Sequence, residues 1–126
     1  MIRDDTYGMY NNKEYRLVEK ENGLCILVTT DNTEVKNGFE PIGNNKYVKI
    51  VNRSDIQSIY RILTYARYKG YKVYIFSEND GKFLITSDDM ETIQKLGFET
   101  ISWGDYGKWV FPSELEEIWE EKRPRK

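Results

Sequence analysis

The stretch Ser54–Ser77, SDIQSIYRILTYARYKGYKVYIFS, decides the predicted fold class because it joins the strongest helix signal in the chain to a strand signal. Ser54 and Gln57 form a capping box, a side-chain pattern that starts many helices. Apolar residues then recur at helical spacing, and Gly70 stands where a helix-ending glycine belongs. We therefore expect a helix over 54–69, followed by a strand over 71–77.

The sequence downstream of this stretch predicts two more helices between hairpins. Asp88 with Glu91, and Ser113 with Glu116, repeat the capping-box spacing and predict helices over 88–96 and 113–121. The hairpins are expected where apolar runs flank the turns at 78–81 and 104–107.

The N-terminal half reads as short strands joined by turns rich in Asn and Gly. We therefore predict an α+β fold, with a mostly antiparallel sheet built from hairpins and about three helices. No repeat, low-complexity tract or linker is recognised, so we expect a single globular domain over 1–126. The basic residues 122–126 are expected to form a short frayed tail.

The chain has no histidine and one cysteine, Cys25. Without histidine there is no Ser–His–Asp triad, no Cys–His pair and no ordinary zinc site. Cys25 lies in an apolar run and is expected to be a core strand residue in a reducing compartment. We expect no enzyme activity, no metal and no cofactor, although chemistry based on carboxylates alone stays open.

Charge is distributed unevenly along the sequence. Residues 1–77 carry 12 Lys and Arg against 9 Asp and Glu, whereas residues 78–121 carry 3 against 12. A local excess of negative charge repels phosphate backbones and attracts basic partners. This imbalance points to the C-terminal half as the binding half and favours a protein partner over nucleic acid.

Acids and aromatic residues in this half are the candidate partner-binding residues, since Trp and Tyr dominate binding hot spots. The main candidates are Asp105, Tyr106, Glu114, Glu117 and Glu121, with Asp80, Asp88 and Asp89 as secondary members. Acids at a helix start are also explained by helix capping without a ligand. Trp103 and Trp109 suit either a binding loop or a core-facing hairpin.

The segments 70–77, 83–87, 96–98, 108–110 and 113–116 resemble small immunity proteins encoded beside polymorphic or contact-dependent toxins of Gram-positive bacteria. The resemblance covers roughly the C-terminal half and carries over no functional residue. It implies a non-enzymatic cytoplasmic protein that binds and blocks the C-terminal domain of one cognate toxin, often a nuclease.

We therefore expect an immunity protein that neutralises a toxin domain by stoichiometric binding. One alternative is a metal-dependent hydrolase that uses carboxylates. The other is a nucleic-acid-binding regulator that uses a basic, Tyr-bearing helix face formed by Arg61, Tyr65, Arg67, Tyr68 and Lys69. With no signal peptide or membrane-spanning apolar run recognised, the expected location is the cytoplasm, and the oligomeric state is undetermined.

Overall fold

The computed structural model of the chain describes residues 2–102 and 104–125. Strands account for 59% of these described residues and helical segments for 15%. Within the described ranges there are eleven strands, one α-helix and three short 3-10 segments. The predicted α+β class with about three helices is therefore wrong, because the chain is mostly antiparallel β-sheet.

The elements follow one another with short connections. The strands are β1 (Asp5–Tyr10), β2 (Lys13–Glu19), β3 (Leu24–Thr29), β4 (Glu40–Gly43), β5 (Lys46–Asn52), β6 (Ser58–Tyr68), β7 (Tyr71–Asn79), β8 (Lys82–Thr86), β9 (Glu99–Ser102), β10 (Asp105–Val110) and β11 (Glu117–Pro124). The α-helix is α1 (Met90–Leu96), and the 3-10 segments are Asn32–Asn37, Arg53–Asp55 and Pro112–Glu114.

The helix predicted over 54–69 is a 3-10 turn followed by the long strand β6. Every second residue of this strand is buried: Tyr60, Ile62, Thr64, Ala66 and Tyr68. A period of two is the strand pattern, and the segment is rich in the aromatic and β-branched residues that strands favour. The apolar residues fit both periods, and their packing selects the strand.

The helix predicted from Ser113 is also wrong, because a 3-10 turn over Pro112–Glu114 leads into β11. The strand continues to Pro124 and so includes three of the residues expected in a frayed tail. The backbone N–H of Arg125 then donates to the carbonyl of Ile59 at 3.1 Å.

The short helix predicted over 88–96 is present as α1, but its cap is Asp89 rather than Asp88. The Asp89 carboxylate accepts hydrogen bonds from the backbone N–H of Thr92 at 3.1 Å and from the Thr92 hydroxyl at 2.7 Å. Gly97 ends the helix in the left-handed conformation, with φ of 66°. No helix in residues 2–102 or 104–125 is long and apolar enough to cross a membrane.

The chain forms two compact units. The N-terminal unit contains Asp5–Arg61 and Arg123–Lys126, and the C-terminal unit contains Met1–Asp4 and Ile62–Lys122. Strand order in the N-terminal unit is β4-β5-β3-β2-β1. Strand order in the C-terminal unit is β6-β7-β8-β10-β9, with β11 also paired to β6. A single globular domain over 1–126 stays a prediction.

Each unit has its own hydrophobic core. The buried core residues of the N-terminal unit are Tyr15, Leu17, Cys25, Leu27, Phe39 and Val51. Those of the C-terminal unit are Ala66, Tyr68, Val73, Ile75, Phe83, Ile85, Ile93, Leu96, Phe98 and Val110. Cys25 is confirmed as a core strand residue, and burial raises the pKa of its thiol.

Apart from one shift in the β7–β8 pairing, the two units have the same internal pairing register, which reveals a repeat. The β1–β2 pair Tyr7↔Arg16 corresponds to the β6–β7 pair Tyr65↔Tyr74. The β3–β5 pairs Val28↔Val48 and Cys25↔Val51 correspond to the β8–β10 pairs Thr86↔Gly107 and Phe83↔Val110. The β4–β5 pair Pro41↔Tyr47 corresponds to the β9–β10 pair Thr100↔Tyr106. The N-terminal 3-10 segment Asn32–Asn37 stands where the C-terminal unit has α1.

The repeat is also visible in side-chain hydrogen bonds. Gln57 Oε1 accepts the backbone N–H of Asn12 at 2.8 Å, and Glu116 Oε1 accepts the backbone N–H of Gly70 at the same distance. Once the registers are known, identical residues can be matched, including Gly38-Phe39-Glu40 with Gly97-Phe98-Glu99. The expectation that the sequence contains no repeat is therefore wrong.

Candidate functional site

A cavity in the C-terminal unit has a volume of about 330 Å³ and brings together three of the predicted binding residues, Asp88, Asp105 and Tyr106. Its other lining residues are Tyr74, Phe76, Thr86, Ser87, Met90, Ile93, Ile101 and Gly104. We call this cavity the acidic–aromatic pocket. It combines two carboxylates with aromatic and aliphatic side chains at the ends of several strands.

Strand β10 places Asp105 and Tyr106 at the pocket. The Asp105 carboxylate accepts a hydrogen bond from the Ser102 hydroxyl at 3.0 Å, which fixes the start of the strand against β9. Two residues on, Gly107 allows β10 to lie close to β8, since a Cβ atom there would stand 2.7 Å from the carbonyl oxygen of Ile85. The glycine therefore helps to hold Tyr106 in position.

An irregularity in β7 accompanies the exposure of Phe76. The β7–β8 register shifts between Ile75 and Ser77, whereas the corresponding β2–β3 pairing runs without a shift. Such bulges redirect side chains and often border functional sites. Phe76 is 53% exposed and Met90 is 55% exposed, so both offer apolar surface at the pocket.

A row of aromatic rings leads to the pocket across strands β11, β6 and β7. Ring centroids are 6.2 Å apart for Trp119 and Tyr65, 5.8 Å for Tyr65 and Tyr74, and 6.3 Å for Tyr74 and Phe76. We call these four residues the aromatic row. Aromatic surfaces of this kind contribute large contact areas to protein interfaces.

Two predicted binding residues, Glu117 and Glu121, lie beside the aromatic row on β11 and not on a helix. Glu117 Oε1 is 3.4 Å from the Arg67 guanidinium, and Glu121 Oε2 is 2.9 Å from the Lys72 ammonium. Glu121 also accepts a hydrogen bond from the Trp119 indole at 2.9 Å. These acids pair with cations on β6 and β7, so they border the aromatic row as ion pairs.

The remaining predicted residues have local structural contacts. Glu114 accepts the backbone N–H of Phe111 at 2.7 Å and closes the 3-10 turn. Asp89 caps α1, and its hydrogen bonds from Thr92 lower the pKa of the carboxyl group. Asp80 lies in the β7–β8 turn with φ of 55°. Glu114, Asp89 and Asp80 do not line the pocket.

Of the two tryptophans flanking the 104–107 turn, the structure describes only Trp109. Trp109 is 43% exposed, so the core-facing interpretation of this residue is wrong. Trp103 lies outside the described residues. The basic helix face proposed for nucleic-acid binding does not exist, because Tyr68 is buried in the core while Arg67 is exposed on the opposite face of β6.

A buried ionic cluster in the N-terminal unit is not predicted by the sequence. The Glu34 side chain is 2% exposed and pairs with the Lys13 ammonium. It also accepts hydrogen bonds from the Tyr15 hydroxyl and the Asn37 amide, both at 2.7 Å. The hydrogen bond from Lys13 is the main cause that lowers the pKa of Glu34, and burial followed by the bond to Glu34 raises the pKa of Tyr15.

A cavity of about 270 Å³ adjoins this cluster and is lined by Tyr10, Asn11, Lys13, Tyr15, Glu34, Asn37, Phe39 and Lys49. Every polar atom of the Glu34 carboxylate already has a protein partner. The cluster therefore explains its own burial without a ligand. Across residues 2–102 and 104–125, no group of three or more Cys, Asp or Glu side chains is placed to hold a metal ion.

Comparison with known proteins places the chain in a family without assigning it an activity. Residues 2–126 match the family model described as "Uncharacterised conserved protein UCP033725". Neither a curated protein nor a solved structure matches the chain. Because the family model covers nearly the whole sequence, the chain belongs to the family of uncharacterised conserved proteins UCP033725.

Proposed function

We propose that this protein is a cytoplasmic immunity protein that binds a cognate toxin domain and neutralises it by stoichiometric inhibition. The observation that carries the proposal is the acidic–aromatic pocket, where the exposed side chains of Phe76 and Met90 adjoin Asp88 and Asp105. Apolar patches with a charged rim are typical of protein-binding sites.

The charge of this region supports a basic partner. Residues 78–121 carry 12 Asp and Glu against 3 Lys and Arg, and Asp88 and Asp105 place part of that charge at the pocket. A nuclease domain presents cations where it binds phosphate, so an acidic surface with exposed aromatics complements it. Complementary charge also accelerates association.

Comparison of the two units shows which pocket residues are not shared by both. By the shared register, the counterparts of Asp88 and Asp105 in the N-terminal unit are Thr30 and Lys46. Phe76 follows Ile75 in the sequence as Val18 follows Leu17, but it lies at the shift in the β7–β8 pairing. The N-terminal unit forms the same set of strands with these different residues. The shared strand pattern therefore does not dictate Phe76, Asp88 or Asp105, which supports a role for these three residues in binding.

Binding to the toxin domain encoded by the adjacent gene tests the proposal. The double variant Asp88→Lys, Asp105→Lys reverses both pocket charges and should weaken the complex at least tenfold, since like charges in an interface are strongly unfavourable. Titration calorimetry measures the affinity, and rescue of cells that express the toxin measures protection. The matched control Thr30→Lys adds a cation at the corresponding position of the N-terminal unit and should leave both unchanged.

Absence of any complex with the wild-type chain would contradict the proposed function. A complex of unchanged affinity in the double variant would instead show that the partner binds elsewhere. A monomeric wild-type protein that binds the toxin domain one-to-one and protects cells is the expected result.

A further inference from the structure

We propose that the outer edge of β9 accepts an extended, basic segment of the partner as an added antiparallel or parallel strand, with one partner side chain entering the acidic–aromatic pocket. The inference rests on the proposed function and specifies how the toxin domain is held. Addition of a strand to an exposed sheet edge is a common mode of recognition, in which main-chain hydrogen bonds give affinity and pockets give specificity.

Strand β9 is the last strand in the order of the C-terminal unit and has β10 as its neighbour. Glu99, Thr100 and Ser102 are exposed. Ile101 is half-buried and lines the pocket, so the edge and the pocket are continuous. An edge strand presents a row of N–H and C=O groups that can pair with another chain.

The repeat indicates which way the Thr100 N–H points. Thr100 pairs with Tyr106 just as Pro41 pairs with Tyr47 in the N-terminal unit. Proline has no N–H, and an edge strand tolerates it where that position faces away from the neighbouring strand. By the shared register, the N–H of Thr100 is directed outward and is available to an added strand.

The corresponding edges of the two units therefore differ in one respect that matters for strand addition. Pro41 removes a donor from β4, which is a common protection of sheet edges, whereas β9 keeps the donor at Thr100. The glutamate before this position is the same in both strands, Glu40 in β4 and Glu99 in β9. The open edge lies beside the pocket, and the blocked edge belongs to the other unit.

Charge selects the occupant. Glu99 is exposed on the edge, and Asp88 and Asp105 lie at the adjoining pocket, so cationic side chains on an extended segment would meet acids along its length. A second copy of this chain would bring the same acids against one another. We therefore assign the edge to a basic segment of the toxin domain and not to a homodimer.

The test is a pair of matched variants in the full chain, titrated with the purified toxin domain. Thr100→Pro gives β9 the residue that β4 already has at this position, so the fold should be retained, and thermal unfolding checks this. Loss of the edge donor should weaken the complex at least tenfold. The matched control Pro41→Thr restores a donor on β4 and should leave affinity unchanged.

A second pair tests the charge without altering the backbone. Glu99→Lys should weaken binding at least fivefold, whereas Glu40→Lys should leave it unchanged. Wild-type affinity in both Thr100→Pro and Glu99→Lys would overturn the edge proposal while leaving the proposed function intact, since the complex itself still forms. Absence of a wild-type complex would overturn both, and a dimer of this chain that Thr100→Pro dissociates would assign the edge to self-association.

Discussion

The N-terminal and C-terminal units share a strand register but differ at the surface where the candidate site lies. The N-terminal unit has Thr30 and Lys46 at the positions of Asp88 and Asp105, and an unshifted β2–β3 pairing where β7 carries an irregularity at Phe76. Because the sequences of the two units form the same arrangement of strands, the residues they share indicate what this arrangement requires. The residues that differ are then available for function.

The shared part of the comparison is the core. Leu17, Leu27, Phe39 and Val51 correspond to Ile75, Ile85, Phe98 and Val110. At the two remaining positions the aromatic residue differs between the units. Tyr15 and Cys25 of the N-terminal unit correspond to Val73 and Phe83 of the C-terminal unit. Cores tolerate such exchanges when total volume is kept, so each unit retains one aromatic ring at this level of its core.

The interiors of the two units differ at the Glu34 cluster, which the described residues of the C-terminal unit do not form. Glu34 corresponds to Thr92, and both are buried, at 2% and 5% exposure. In the N-terminal unit Tyr15 and Lys13 satisfy the carboxylate, whereas Val73 and Tyr71 stand at their positions in the C-terminal unit. The fold therefore does not need a buried charge at this position.

The largest expected effect tests whether the two cores are equivalent. Leu27→Ala and Ile85→Ala each remove a fully buried side chain at matching positions. Each should lower the free energy of unfolding by about 3 kcal/mol through lost burial and a cavity. Urea unfolding followed by tryptophan fluorescence and circular dichroism measures both. A loss below about 1 kcal/mol in only one variant would show that the cores are not equivalent.

The next largest effect is a loss of toxin affinity that depends on which unit carries the substitution. Tyr106 and Tyr47 occupy matching positions, but Tyr106 lines the acidic–aromatic pocket. Tyr106→Ala should weaken toxin binding by about 2 kcal/mol, or about thirtyfold, as expected for a hot-spot aromatic. Tyr47→Ala should leave affinity unchanged in the folded fraction. Equal losses in the two variants would contradict the assignment of binding to the C-terminal unit.

A smaller effect concerns pH and is specific to the N-terminal unit. The pKa of Glu34 is lowered from 4.5, so its ionised form stabilises the folded state. This contribution is present above the unfolded pKa and is lost as pH falls below about 4.5 toward the lowered folded value. Glu34→Gln should therefore reduce the dependence of the unfolding free energy on pH as the pH falls below about 4.5. Titrated urea unfolding measures the slope, and an unchanged slope would contradict this role.

The smallest effect is shared by both units. Asp31 and Asp89 cap matching helical segments, and hydrogen bonds from Thr33 and Thr92 lower the pKa of each carboxyl group. Asp31→Ala and Asp89→Ala should each lower stability by a similar small amount, as is usual for loss of an N-cap. A cost confined to one of the two would show that the caps have diverged. Thermal unfolding at pH 7 compares them.

Local signals in the sequence predicted the hairpin turns and the short helix. The turn at Asp80-Gly81 has positive φ at both residues, and α1 has an aspartate cap and a closing glycine. These features depend on neighbouring residues alone. For that reason they are accessible from the sequence.

The two wrong helices show where local signals fail. Ser54–Gln57 and Ser113–Glu116 have capping-box spacing, but Gln57 and Glu116 hydrogen-bond the turns after β1 and β6 instead of closing a helix. Those partners are distant in sequence. The same spacing therefore serves a β-structure once tertiary contacts form, which propensity cannot reveal.

The candidate site could be predicted only in part, because contacts between residues distant in sequence also form it. The excess of acids indicated Asp88 and Asp105, and the preference of interfaces for aromatic residues indicated Tyr106; the structure brings all three to one pocket. Phe76 was not predicted, because its exposure accompanies an irregular β7–β8 pairing that no local pattern signals. Glu117 and Glu121 fall in the helix predicted over 113–121, but they lie on the strand β11.

The most direct test converts one surface into the other. The variant Phe76→Val, Asp88→Thr, Asp105→Lys gives the C-terminal unit the residues that the N-terminal unit has at these three positions. Its thermal unfolding should stay close to that of the wild type, because the N-terminal unit folds with the same residues. Calorimetric titration with the toxin domain should show at least a hundredfold loss of affinity. A folded variant that binds like the wild type would contradict binding at the acidic–aromatic pocket.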